Sequence, residues 1–375
     1  MSDDSLPEPD RIDGAPHPRE TLRLYGQAAA EHALLDAFGG GRMHHGWLIT
    51  GPRGVGKATL AWSIARFLLA TPPIQDDGLF GAPPPPQNLA IPADHPVARR
   101  MAAGSEPGLF VLRRPWDDSA KRLKAQIPVD EVRRMKGFFS LSATDGGRRV
   151  VIVDSADEMN PNAANALLKL LEEPPARTTL LLISHQPARL LPTIRSRCRT
   201  LRLAPLGPED MALALDGAGA QADSAQALAL AELAGGSVGE AIRLANLGGL
   251  KLYADLVALL GTLPRLDRPR ALALADAVSA RGKEDQLDLL LTLLDTALAR
   301  LAATGALGHA PAQQAAPGES TVLSRLSPDA RAGRAWATLA QQLGERTRHA
   351  RAVNVDPGTL VLDALLRLQS VGAAG

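Results

Sequence analysis

Read for its hydrophobic pattern, the chain changes character twice. From residue 21 to 205, short apolar runs alternate with helix-like stretches. After 205 the short runs stop and helical spacing takes over. The first twenty residues are polar and proline-containing and read as a flexible tail. Ala28, Ala29, Leu34, Leu35 and Ala37 then predict a helix, ended at Gly39-Gly40-Gly41 because glycine readily takes the left-handed conformation of a helix end. Apolar runs at 47–50, 109–112, 150–153, 180–183 and 200–203 predict five strands. Strands alternating with helices predict an α/β fold, a parallel sheet covered on both faces. The unbroken Val150-Val151-Ile152-Val153 suits a strand buried on both sides.

Residues 71–107 break this rhythm. Pro72, Pro73, residues 83–86, Pro92, Pro96 and Pro107 cannot share one helix, so an exposed, poorly ordered insertion is expected. Residues 206–250 read as small helices rich in Ala and Leu. Beyond them Leu287, Leu290, Leu291, Leu294, Leu298 and Leu301 recur at spacings of three and four, one apolar helix stripe. The expected organisation is a tail at 1–20, an α/β P-loop domain at 21–205, a helical lid at 206–250 and an all-α C-terminal domain at 251–375.

The sharpest local chemistry is Gly51-Pro52-Arg53-Gly54-Val55-Gly56-Lys57, which fits G-x-x-x-x-G-K between a strand and a helix. Glycines let successive backbone N–H groups converge on phosphate oxygens, and the following helix turns its positive end to the same spot. Gly51, Gly54, Gly56 and Lys57 are the predicted phosphate ligands, with ATP or ADP as the nucleotide. The next position should carry a hydroxyl for Mg²⁺. Here it is Ala58, and Thr59 is rotated about 100° around the helix, so Mg²⁺ is handled poorly. Asp154, ending the 150–153 strand, fits the Walker B carboxylate. Ser155 follows where such ATPases place a glutamate, and Glu158 lies beyond the strand end. Asn160-Pro161 opens the next helix as N-cap and first residue, with Ala164, Leu167, Leu168 and Leu171 facing inward.

Composition narrows the class without changing the fold. Lys+Arg 41 against Asp+Glu 40 excludes a globally polybasic nucleic-acid binder, and 3% aromatic residues argue against a base-stacking platform. A single cysteine excludes an intrachain disulfide framework and a multi-cysteine zinc site. No run approaches the apolar length of a bilayer span, and residues 1–11 lack the apolar core of a secretory signal. A soluble cytoplasmic protein is expected. Residues 113–149 hold ten basic and five acidic residues, a local bias that suits either DNA phosphates or a solvated face. Cys198 reads as a small apolar filler. His44, His45 and His95 read as packing or polar contacts rather than metal ligands.

The run from Asp154 through Pro175, containing Asn165-Ala166-Leu167-Leu168-Lys169-Leu170-Leu171-Glu172-Glu173-Pro174-Pro175, strongly resembles the AAA+ clamp-loader family. So does Leu191-Pro192-Thr193-Ile194-Arg195-Ser196-Arg197-Cys198. Gly26-Gln27, His44-His45-Gly46-Trp47 and Asn354-Val355-Asp356-Pro357 fit the same family, which covers roughly residues 20–370. The resemblance implies an AAA+ domain, a lid and a collar that joins subunits in a hetero-pentameric ring. That ring places a sliding clamp on primer–template DNA during replication, and in bacteria its other members are gamma/tau and delta. It implies that Arg197 acts as a trans arginine finger on a neighbour's ATP, and that Ser184 sits at the first sensor position. In the family's Gly-Ser-x-Arg motif the arginine is replaced here by Gly239. Ala58, Ser155 and Gly239 together imply a subunit with little or no ATPase activity of its own, and neither zinc nor a membrane is implied. The competing readings are an active AAA+ motor subunit of the same loader and an unrelated P-loop NTPase.

Overall fold

All five apolar runs form strands of one parallel sheet in the structure, a computed structural model describing residues 7–71, 86–140, 147–220, 223–280, 282–352 and 355–373. They are β1 (Gly46–Thr50), β2 (Leu109–Arg113), β5 (Arg149–Asp154), β6 (Thr178–Ser184) and β7 (Arg199–Arg202). The two-residue strands β3 (Trp116–Asp117) and β4 (Arg122–Leu123) pair separately. The order β2-β5-β6-β1-β7 puts β1 between β6 and β7, in the register Thr50↔Ser184 and Thr50↔Arg202. This is the AAA+ P-loop architecture that the sequence implies.

Helices α1 (Ala28–Gly39), α2 (Lys57–Ala70), α3 (Pro96–Ala102), α4 (Val129–Ser140), α5 (Pro161–Glu172), α6 (Pro192–Arg195) and α7 (Pro208–Gly217) accompany the sheet. Val150, Val151, Ile152 and Val153 are fully buried, as their unbroken apolar run predicts. Each such side chain contributes roughly 1.5–3 kcal/mol when taken out of water. The Asn160 side chain caps α5 by accepting from the Ala163 N–H at 2.8 Å. Ala163, Ala164, Leu167 and Leu171 are buried, while Leu168 is only half-buried.

Two expectations need correction. The stretch 71–107 is not a loop throughout: Pro96–Ala102 is a helix with Val97, Ala98 and Met101 buried and packed against α2. Pro96 stands at its first position, where the missing N–H has no partner to lose, and His95 caps it by accepting from Val97 N–H. Residues 72–85 lie outside the described residues. The tail is also not free from residue 7 onward, because Glu8, Asp10 and His17 pack into the α/β unit beside Arg113.

By internal contacts the chain divides into Met1–Gly219 with Gly236–Gly239, and Ala220–Gly235 with Glu240–Gly375. The division runs through the stretch 206–250: α7 and residues 236–239 go with the sheet. Hydrogen bonds from Leu206 N–H to Gly236 O and from Gly239 N–H to Gly54 O hold them there.

The second unit contains α8 (Ser224–Leu233), most of α9 (Val238–Asn246), α10 (Gly249–Gly261), α11 (Arg268–Ser279), α12 (Glu284–Leu307), α13 (Glu319–Leu326), α14 (Ala330–Ala352) and α15 (Pro357–Gly372). Leu290, Leu291, Leu294, Leu298 and Leu301 form the buried face of α12. By length and mean hydropathy α12 does qualify as a bilayer span, unlike the expectation from uncharged runs, but 56% of its most apolar window is buried in the protein. It packs along α14 and against α10.

Candidate functional site

Parallel strands bring their carboxyl ends to one edge, where α/β folds place ligands. Gly51, Gly54, Gly56, Lys57, Asp154 and Ser184 all belong to that edge. β1 runs into the glycine loop, β5 ends at Asp154, and β6 ends at Ser184 opposite Thr50. Gly54 has φ +77°, and a Cβ there would overlap the Ser237 hydroxyl; no other residue type fits. Gly56 caps α2 in the left-handed region. The Ser184 hydroxyl is fully buried with no hydrogen-bond partner among the described residues.

The charges at this edge are turned inward. Lys57 is buried, and its Nζ donates to the carbonyls of Gly51 (2.8 Å) and Pro52 (2.5 Å) of its own loop. Burial lowers its pKa to about 8, against the opposing pull of Asp154 and Asp157. Burial and the negative charge of Asp10 push Asp154 up to about 7, with Ser155 and Lys57 opposing. The Ser155 hydroxyl donates to Asp154 Oδ1 at 3.0 Å and lies 2.9 Å from His185 Nε2. Burial, then the Lys57 charge, lowers His185 to about 4, so its ring is neutral at pH 7. This is not a nucleophilic triad. His185 Nδ1, where a triad binds its orienting carboxylate, has no hydrogen-bond partner among the described residues, and the serine faces the carboxylate directly.

The groups at the metal-ligand and base positions are engaged or lack an oxygen. Ala58 offers no ligand, Ser155 engages the Walker B carboxylate, and Glu158 is ion-paired to Arg114 at 2.7 Å. At Gly239 a Cβ would come within 2.8 Å of Ile12 Cδ1 and 3.0 Å of Gly54 Cα, so any larger side chain there requires its neighbours to shift.

Arg197 stands apart from the other six residues. Its carbonyl lies beside Gly46, at the start of β1, whereas the P-loop follows the end of that strand about 13 Å away at 3.3 Å per residue. Its guanidinium is partly exposed, 2.9 Å from Glu172 and donating to Thr193 O at 3.1 Å. Neighbouring Cys198 has its thiol pushed up to about 12 by burial, which suits an inert filler. His44 and His45 stack on each other and contact the Gly46 and Leu171 carbonyls respectively. In the basic stretch Arg113, Arg114, Arg133 and Arg134 all have carboxylate partners, so much of its charge is neutralised within the chain.

Several site residues escape sequence reasoning. Gln27 bridges Ala204, donating to its carbonyl at 2.7 Å and accepting from its N–H at 3.2 Å, and so ties α1 to the end of β7. Asp157 accepts from the His185 and Gln186 N–H groups. His185 itself, and Asp10, Ile12 and Leu24 near the P-loop, lie in no motif. Gly26-Gln27 carried a signal, as part of the family pattern; the others carried none.

The buried carboxyl gives a test by pH. Between about 4 and 7 the native state keeps a proton on Asp154 that the unfolded chain has released. Its contribution to stability therefore falls as pH rises through that window and stays lost above it. His185 runs the other way, since between about 4 and 6.5 the unfolded chain takes up a proton that the native ring refuses. Comparing wild type with Asp154→Asn cancels the His185 term to first order. The variant is expected to gain on wild type by about 2 kcal/mol between pH 5 and pH 8, read from urea midpoints. A difference that does not change with pH would show that Asp154 is ionised throughout.

A family model described as DNA polymerase III, delta subunit, matches residues 26–207. A DNA polymerase III subunit delta' of Pseudomonas aeruginosa is 43% identical over 169 residues, spanning 45% of this chain and 46% of that protein. The Escherichia coli subunit delta' is 30% identical over 337 residues, 90% of this chain and 92% of that one. The Escherichia coli subunit tau is 29% identical over 293 residues, 76% of this chain and 41% of its own length. A glycine loop at the carboxyl edge of a parallel sheet thus coincides with near full-length similarity to one subunit type, and the chain belongs to the DNA polymerase III delta-prime (δ′) subunit family.

Proposed function

We propose that this chain is the non-hydrolysing member of a clamp loader and completes the ATP site of an adjacent subunit with Arg197. The observation that carries the reading is the placement of Arg197. It sits at the opposite end of β1 from its own P-loop, where it cannot serve its own phosphates, and it is partly exposed. Its ion pair with Glu172 is of the surface kind, contributing about 0–1 kcal/mol, so a triphosphate easily replaces that partner. The bidentate guanidinium fork suits phosphate oxygens in a way that lysine does not.

Partners follow from similarity. Resemblance to gamma and tau subunits supports assembly with such subunits, and through them action on a sliding clamp and primer–template DNA. The all-α C-terminal helices are the proposed ring-forming part. ATP or ADP would lie at Gly51, Gly54, Gly56 and Lys57, with Mg²⁺ poorly held and no zinc required. The similarity to tau keeps the motor reading in play, but Ala58, Ser155 and Gly239 weigh against it.

The test is turnover. The purified chain alone is expected to release phosphate from ATP no faster than a buffer control. Lys57→Ala is expected to impair clamp loading by the reconstituted assembly less than Arg197→Ala does. Robust hydrolysis by the isolated chain would make it a motor, and the reverse ranking of the two variants would mean that its own P-loop drives loading.

A further inference from the structure

The chain's N-terminal residues run along both sides of the P-loop. Leu24 lies against Gly56, where a Cβ would come within 2.7 Å of its Cδ1, and Ile12 lies against Gly239 on the other side of Gly54. Between them an ionic cluster fastens the segment to the sheet. Arg113, the last residue of edge strand β2, pairs with Glu8 Oε1 at 2.5 Å and Asp10 Oδ1 at 3.2 Å. Trp62 of α2 donates to Asp10 Oδ2 at 3.3 Å. His17, itself buried, points Nε2 at both carboxylates, 2.9 Å from Glu8 and 3.2 Å from Asp10, and Arg19 pairs with Glu8 at 3.1 Å. The Arg66 guanidinium, buried in α2, donates to Arg19 O at 2.7 Å.

We propose that residues 8–24 form a latch across the nucleotide pocket, fastened by Glu8 and Asp10 on Arg113, and that a nucleoside triphosphate reaches the P-loop only when the latch opens. Two kinds of conflict support this. Leu24 fills the space beside Gly56, and Ile12 fills the space beside Gly239, which itself lies against Gly54; Gly54 and Gly56 are the glycines whose backbone would face a phosphate. The Asp10 and Glu8 carboxylates also bring negative charge to the sheet edge where a triphosphate would bring more; the upward push of Asp10 on Asp154 shows how close that charge lies. Glu8, Asp10 and His17 have the spacing of a divalent-cation site. Two guanidinium groups and an indole N–H already engage the carboxylates, so a cation there would face like charge rather than free ligands. The latch concerns access to the pocket, whereas the proposed function concerns turnover and Arg197, and the two fail separately.

The experiment is a titration of the full chain with a fluorescent N-methylanthraniloyl-ATP, for wild type, Glu8→Ala/Asp10→Ala and Arg113→Ala. An opened latch removes a conformational competitor, so both variants are expected to bind about tenfold tighter. Direct electrostatics makes the opposite forecast for Arg113→Ala: losing a cation near a triphosphate weakens binding. Equal or weaker binding by Arg113→Ala therefore overturns the latch, whatever the double variant does. A second readout uses wild type alone. By reciprocity, nucleotide must loosen what excludes it, so saturating nucleotide is expected to speed hydrogen exchange at residues 8–24. Unchanged exchange at saturation overturns the proposal, as does an absence of binding in all three proteins. If a latch-open variant hydrolyses ATP, the non-hydrolysing reading fails while the latch stands.

Discussion

Arg197→Ala is expected to slow ATP turnover at the neighbouring site of the assembled loader by about 10³-fold or more, the scale of a trans-acting arginine. It is also expected to leave this chain's own stability nearly unchanged. The two expectations come from the same geometry. The guanidinium is partly exposed, and its contacts are one surface carboxylate, Glu172, and one carbonyl, Thr193. Losing them costs the fold at most about 1 kcal/mol. In the neighbour's transition state the same group would face charge spreading over the γ-phosphoryl oxygens, with little water to screen it. Arg197→Lys separates the contributions of charge and shape. If the planar fork matters, lysine restores only a small part of the rate. The measurement is phosphate release by the reconstituted loader, with a thermal melt of the isolated variant as control. An unchanged rate in a well-folded variant removes Arg197 from the proposed role.

Glu319→Ala should produce the largest loss of stability, about 3–5 kcal/mol, in the C-terminal helical unit. Glu319 opens α13 and is 1% exposed. Its Oε1 accepts from Tyr253 O–H at 2.5 Å and Arg300 Nε at 2.7 Å; its Oε2 accepts from Ala315 N–H at 2.6 Å and Arg300 at 3.3 Å. The burial of Tyr253 and its bond to this carboxylate both hold the phenol in its protonated form. One side chain thereby ties α10, α12 and the turn before α13 together. Removing it strands the Arg300 charge, which keeps only the half-exposed Glu232 and a carbonyl. A largely buried charge left with one partly exposed carboxylate costs more than the loss of one hydrogen bond, so Tyr253→Phe is expected to cost only about 1 kcal/mol. At 2–4 °C per kcal/mol for a unit of this size, Glu319→Ala lowers its melting point by about 10 °C. Equal losses in the two variants would mean that the hydroxyl, and not the ion pair, holds the helices.

The two networks contrast in purpose. Around Glu319 the polar groups largely satisfy one another, the condition under which buried polarity rigidifies a core. At the P-loop edge the Ser184 hydroxyl and His185 Nδ1 lack partners among the described residues, and Lys57 turns back onto its own loop. Unsatisfied buried groups are costly in a purely structural site. Their persistence at the carboxyl ends of β1 and β6 suits the proposed nucleotide pocket.

What the residues alone determined were features carried by neighbours in the chain. The strands β1, β5 and β6 were legible because their apolar runs are buried on both faces, the edge strands β2 and β7 from short apolar runs that are only partly buried, and α5 because Asn160-Pro161 is a local start signal. The glycine loop was legible because its G-x-x-x-x-G-K spacing involves only contiguous residues, and the family because its motifs run unbroken from Asp154 to Pro175. The helix from Pro96 was missed because proline was counted as a breaker where it is a favoured first residue. Tertiary structure decided whatever depends on groups distant in sequence meeting in space. Arg113 meets Glu8 across 105 positions, His185 meets Ser155 across 30, and Tyr253 meets Glu319 across 66. No periodicity encodes such pairs, because hydropathy reports which side of an element is buried and not what lies opposite it. The end of the sheet that Arg197 occupies was likewise invisible until strand direction and register were known, and on that position its proposed reach to a neighbour depends.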